Sequence, residues 1–158
     1  MHKNLKISIF VLLCLAIGFF SSLVTRQSVL TWFPTLQKPF FNPPAWLFAP
    51  VWTSLYIAMG VAAGLVWNQI ATNSTLVKKA LLFFGIQLVL NAAWSFIFFG
   101  FHNILLALIE IILLLLFIIE TYRQFKNINK IAGYLFLPYI AWVSFATVLN
   151  ASLWFLNR

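Results

Sequence analysis

Five long apolar runs organise this chain, at roughly 5–24, 46–67, 80–101, 104–122 and 131–155, with polar stretches between them. Each holds about 20 residues, enough as a helix to cross a hydrocarbon layer of about 30 Å. In lipid, a backbone satisfies its own hydrogen bonds only in helices or a closed barrel. Barrel strands are about half this length, so the runs predict helices. The links at 102–103 and 123–130 are short, which makes neighbouring helices antiparallel. The expected fold is therefore all-α and integral to a membrane: a five-transmembrane-helix bundle forming one domain over 1–158. The first run begins MHKNLK and ends near GFFSS, a layout shared with signal peptides. It has no A-x-A cleavage pattern and is too long for one, so it is read as a retained helix.

Polar residues inside these runs are informative because lipid makes them costly. In the third run, Gln87, Asn91, Trp94 and Ser95 fall on one helix face. In the fifth, Tyr139, Trp142, Ala146 and Asn150 share a face, and in the second Trp52 and Tyr56 are i, i+4 neighbours. One reading is interhelical adhesion through amide hydrogen bonds, each contributing about 0.6–2 kcal/mol. The other is a ligand site. Adhesive faces are usually built from small residues, whereas indoles, phenols and amides together suit a large flat ligand with few polar atoms. Gly60 and Gly64 form a GxxxG face that fits either a dimer contact or close packing within the bundle. Glu110 is the one carboxylate well inside a run. Its reading stays open between a structural acid, neutral or amide-paired, and a functional group.

The segment between the first two helices has a different character. WFPTLQKPFFNPPAWLFAPVWTSLY (32–56) holds five of the six prolines, with Trp32, Trp46 and Trp52. Pro39, Pro43 and Pro44 fix φ and remove donors, so a long, stiff, aromatic-rich loop is expected. Pro44 suits the first helical position of the second helix. Pro50 is expected to loosen that helix's start, and Pro138 to bend the fifth.

Composition agrees with the pattern: 63% hydrophobic, 8% charged, mean hydropathy +1.00. The net charge of +8 comes from basic residues scattered at helix ends, with no stripe to bind nucleic acid. Lys3, Lys6, Lys78, Lys79, Arg123, Lys126 and Lys130 fall on the N-terminal side; Arg26, Lys38 and Arg158 fall on the other. That asymmetry predicts a cytoplasmic N-terminus in a bacterial inner membrane, with the proline-rich loop outside. The single Cys14 excludes an internal disulfide and reads as packing. No histidine, cysteine or carboxylate set has metal-ligand spacing, and no nucleophile–base pair is evident. Neither a metal nor a required cofactor is expected.

Five motifs carry a family resemblance: W-F-x-x-L-x-K-P at 32–39, N-P-P-x-W at 42–46, V-W-T-S-L-Y-x-x-M-G at 51–60, Q-L-x-L-N-x-x-W-S-x-x-F-F-G at 87–100 and P-Y-x-x-W-V-x-F-A-T-x-L-N at 138–150. In this order they resemble the translocator protein family, also called the TspO or peripheral-type benzodiazepine receptor family. Phe33 and Phe41 stand where that family usually has tyrosine and tryptophan. The resemblance implies a five-helix membrane protein, often a homodimer, whose cavity under the 1–2 loop binds porphyrins such as protoporphyrin IX and related flat hydrophobic ligands. It implies pocket positions at Trp52, Tyr56, Gln87, Asn91, Trp94, Trp142, Ala146 and Asn150. Above them would lie the loop residues Pro43, Pro44 and Trp46, with Trp32 at the loop's start. Expected partners are thus a porphyrin or other hydrophobic small molecule, membrane lipid and a second copy. The implied role is tetrapyrrole transport, sensing or homeostasis. The alternative is light-dependent porphyrin degradation using Trp52 and Trp142 as candidate catalytic residues. A eukaryotic member would sit in the mitochondrial outer membrane. LNASLWFLNR at the end lacks the tyrosine of the family's sterol motif, so sterol binding is not implied.

Overall fold

The computed structural model describes residues 2–158 and contains helices and turns, with no strand among the described residues. The helices are α1 (Lys3–Thr31), α2 (Ala45–Trp67), α3 (Ser74–Ser95), α4 (Ile104–Ile128), α5 (Lys130–Tyr134) and α6 (Leu137–Leu156). Five helical spans are long and apolar enough to cross a membrane; α5 and α6 together make the fifth. The protein is an all-α, five-span membrane bundle.

Several boundaries differ from expectation. α3 begins before the third run, at Ser74, and α4 runs past the fourth to Ile128. Three others differ for local reasons. First, α1 runs on to Thr31, beyond the apolar run. No glycine or proline interrupts residues 19–33, and the hydroxyls of Thr25 and Thr31 donate back to the carbonyls of Ser21 and Gln27. Second, α3 ends in a wide π-turn over Phe96–Gly100. Third, the bend expected at Pro138 is a full break: α5 stops at Tyr134 and α6 begins at Leu137 with Pro138 in its first turn. A proline there sacrifices no helical hydrogen bond. At the other proline-rich start, Pro44 is the N-cap of α2 rather than its first helical residue, and α2 continues through Pro50.

α1 lies along α2 and also touches α3, while α4 packs on α3 and α6. The α1–α2 contact explains GxxxG. A Cβ on Gly60 would collide with the Val11 backbone and one on Gly64 with the Ile7 backbone. This face is thus consumed inside the bundle and is not free for a second copy.

The core fills the half of the bundle away from the 1–2 loop. There Phe84, Phe125 and Phe136 are buried against one another, with ring centroids 5.2–6.4 Å apart. Cys14 is fully buried in this core, as the packing reading expects. The half near the loop is hollow.

Candidate ligand-binding site

The hollow is a cavity of about 1130 Å³. Small-molecule sites usually have about 300–1,000 Å³, so this one has room for a large ligand. Its wall is mostly apolar. Trp52 and Tyr56 come from α2, Asn91 and Trp94 from α3, and Trp142, Ala146 and Asn150 from α6. Pro43 and Pro44 line it from the loop. The spacing of these residues along three helices thus converges on one space.

Three nominated residues lie elsewhere. Gln87 is fully buried below the cavity. Its Nε2 donates to Met59 Sδ at 3.8 Å, and its Oε1 accepts from the Tyr139 hydroxyl at 2.9 Å. Trp46 is 72% exposed and lines a shallow outer groove between α2 and α6 with Val51 and Phe145. Trp32 stacks on His102 with ring centroids 4.2 Å apart. That stack roots the loop to the α3–α4 turn, where His102 has a φ of 55° and its Nε2 lies 2.9 Å from the Ser28 hydroxyl.

The cavity floor is a hydrogen-bonded chain across three helices. The Tyr56 hydroxyl donates to Asn91 Oδ1 at 2.6 Å. Asn91 Nδ2 donates to the Tyr139 hydroxyl at 2.8 Å, which donates on to Gln87. Higher on the wall, Trp94 Nε1 donates to Asn150 Oδ1 at 3.0 Å, and Asn150 Nδ2 donates to the Ile104 carbonyl at 3.0 Å. The two readings of the polar stripes are therefore both realised. The amides bind the helices together, and the same face bounds a ligand-sized space.

Other polar groups of wall residues are unpaired. Trp142 Nε1, Ser21 Oγ and Asn42 Oδ1 are sealed from solvent and have no partner among the described residues. All three residues line the cavity. Buried polar atoms are normally paired; these three sit behind the cavity surface, where a water molecule does not touch them. Glu110 is also unpaired at both oxygens, which removes the amide-paired alternative, but it is not part of the lining.

Sequence reasoning missed an entire wall. Gly18, Ser21, Ser22, Thr25, Arg26 and Val29 of α1 face the cavity. Their spacing is helical; the signal was present but weak, because serine and threonine are common in membrane helices. The π-turn contributes Phe98 and Phe99.

The loop is fastened as well as stiff. Asn157, at the end of α6, grips Gln37 at both its N–H and its carbonyl, each at 2.9 Å. Lys38 Nζ donates to the carbonyls of Pro34 and Leu36, and the Asn42 N–H donates to the Pro39 carbonyl. Phe33, Lys38 and Asn42 line the cavity, so the loop forms part of its cover.

Comparison with known proteins matches residues 10–155 to the TspO/MBR family. A tryptophan-rich protein TspO of Chlorobaculum tepidum is 42% identical over 158 residues, covering 99% of each chain. A protein of the same name from Archaeoglobus fulgidus is 42% identical over 153 residues, covering 97% of each. The translocator protein of Bos taurus is 35% identical over 140 residues, covering 87% of this chain and 81% of its own.

Proposed function

The chain belongs to the TspO/MBR family, and from that premise we propose that its cavity binds a porphyrin of the protoporphyrin IX type. One observation carries this reading. An apolar space of about 1130 Å³ has three indoles on its wall, Trp94 beside Trp52 and Trp142. An aromatic macrocycle stacks on indole faces. A stacked pair contributes about 0.5–1.5 kcal/mol beyond area burial, a two- to tenfold effect on affinity. The relative named a translocator protein favours movement of the ligand over its storage. The charge asymmetry of the loops favours a cytoplasmic N-terminus and a cavity mouth facing outward. A second copy is the proposed protein partner, meeting this one on a surface other than Gly60–Gly64.

Titration of the purified protein with protoporphyrin IX, read by tryptophan quenching, tests the proposal. Saturable binding is expected, weakened two- to tenfold by Trp52→Ala or Trp142→Ala, each titrated well below its own melting temperature. Equal affinity in wild type, both single variants and the double variant refutes it. A degradative role is the second reading, favoured by the placement of Trp52 and Trp142 on the wall. Illumination distinguishes it: porphyrin absorbance decaying to a discrete product only with both tryptophans present would replace carriage by turnover.

A further inference from the structure

The cavity is not electrically neutral at its loop end. Arg26 and Lys38 both line it, and neither has a carboxylate partner among the described residues. The chain has only two acidic side chains. Glu120 pairs with Arg123 at 3.8 Å, near the opposite end of α4, and Glu110 is buried in α4 away from the lining. Arg26 makes no hydrogen bond to any described side chain or carbonyl, so its five donors are free. Lys38 spends two of its three donors on the carbonyls of Pro34 and Leu36, and its ammonium lies 5.0 Å from the centre of the Phe33 ring. Those contacts hold it in place and leave one N–H for a ligand.

The hydroxyls on the same stripe of α1 are not available, so the two cations carry the charge of this end alone. The hydroxyls of Ser22 and Thr25 donate to their own helix, to the carbonyls of Phe19 and Ser21. The Ser21 hydroxyl does not, but it is sealed behind the cavity surface and adds no donor there. Two cations with uncommitted donors on one side of an apolar space form an anion seat. Arg26 is exposed and Lys38 half-buried, so a counter-charge here gains what a largely exposed ion pair gains.

We propose that Arg26 and Lys38 bind the acidic substituents of the cavity's ligand, so that the site selects a flat apolar body carrying carboxylates on one edge. This rests on the porphyrin reading above. The flat body lies against Trp52 and Trp142, and the carboxylates turn toward α1 and the loop. A neutral ring of the same shape fits the apolar wall and forgoes the ion pairs. The extension of α1 to Thr31 makes this possible, because it carries Arg26 onto the cavity stripe instead of into the loop.

Protoporphyrin IX and its dimethyl ester share one ring and differ in charge, so the pair separates the two ideas. Each is titrated against wild type, Arg26→Gln, Lys38→Gln and the double variant in zwitterionic bilayers. Exposed ion pairs reach about fivefold in affinity, so each single variant is expected to weaken the acid about fivefold. The ester is expected to bind every form alike. Wild-type affinity for the acid is expected to fall as ionic strength rises, and for the ester to hold.

If acid and ester respond equally to the substitutions, or neither responds, the anion seat is overturned while the porphyrin site stands. If neither ligand binds the wild type, the porphyrin reading itself fails. Should the variants lose the fold, the wild-type salt dependence decides, and its absence overturns the proposal. A lipid phosphate is the rival anion. If phosphatidylglycerol displaces the acid and the double variant abolishes lipid retention without changing the acid-to-ester ratio, the cations hold a headgroup, and the assignment to the ligand is overturned.

Discussion

Tyr139→Phe isolates the cavity floor from the cavity. The ring stays, fully buried between Phe136 at 5.9 Å and Trp52 at 6.3 Å. Only the hydroxyl goes, and with it two bonds: the one accepted from Asn91 at 2.8 Å and the one donated to Gln87 at 2.9 Å. Side-chain hydrogen bonds between membrane helices average about 0.6 kcal/mol and reach about 1.7. Two of them set a range of about 1–3 kcal/mol. The upper half is expected, because Asn91 Nδ2 and Gln87 Oε1 would be left unpaired where Asn91 is 4% and Gln87 0% exposed. In a domain of this size each kcal/mol moves Tm by about 2–4 °C, so melting should fall by about 5–10 °C. Circular dichroism in detergent reads it. Tyr134→Phe, at 51% exposure, serves as the control and should melt like wild type. Ligand affinity should change little once the protein is folded, since Tyr139 does not line the cavity. A wild-type Tm with a large loss of affinity would refute the reasoning and make the floor a ligand contact.

Other outcomes follow from the same contacts. Gly60→Val forces a side chain into the Val11 backbone and is expected to unfold or strongly destabilise the monomer. A protein that melts normally and changes only its oligomeric state by analytical ultracentrifugation would return GxxxG to a dimer role. Haem added to the protein should show no histidine or thiolate ligation in its absorption spectrum, because His102 is held against Trp32 and Ser28 and Cys14 is sealed in the core. Pro43→Gly with Pro44→Gly frees two φ angles in the cover. Each fixed residue costs about 1–2 kcal/mol to order, so ligand dissociation should accelerate about tenfold or more; a lower Tm with an unchanged dissociation rate would make Pro44 a helix cap alone.

The helices were legible because lipid leaves the backbone few options, and an apolar run of sufficient length states its own conformation. Their ends were less legible. Thr25 to Thr31 reads as loop by polarity, yet its hydroxyls fold back onto the helix and keep it helical, so Arg26 was placed off the wall it lines. The stripes through Asn91, Trp142 and Asn150 were legible from spacing, since one helix face must point one way. Spacing cannot give depth. Gln87 lies one turn from Asn91 on the same face and falls below the cavity, sealed by Tyr139. Nor can it assign a loop aromatic: Trp32 found His102 and Trp46 found the outer groove, partners set by tertiary packing alone.

A bundle with a hollow half has to hold its shape when empty, and the interior polar groups divide along that need. Tyr56, Asn91, Tyr139 and Gln87 are bonded to one another, and Trp94 and Asn150 to each other and to α4. These pairs tie α2, α3, α4 and α6 together whether or not anything occupies the space. Arg26 and Lys38 instead keep charges without a counter-charge at its rim. Each exposed ion pair contributes up to about 1 kcal/mol, a gain the empty protein lacks and an anionic ligand supplies. Braced floor and charged rim are therefore complementary. The first fixes a cavity of defined shape, and the second makes filling it favourable. The same division sorts substitutions in advance. Changes to the bonded set should appear in melting, and changes to the unpaired set in affinity.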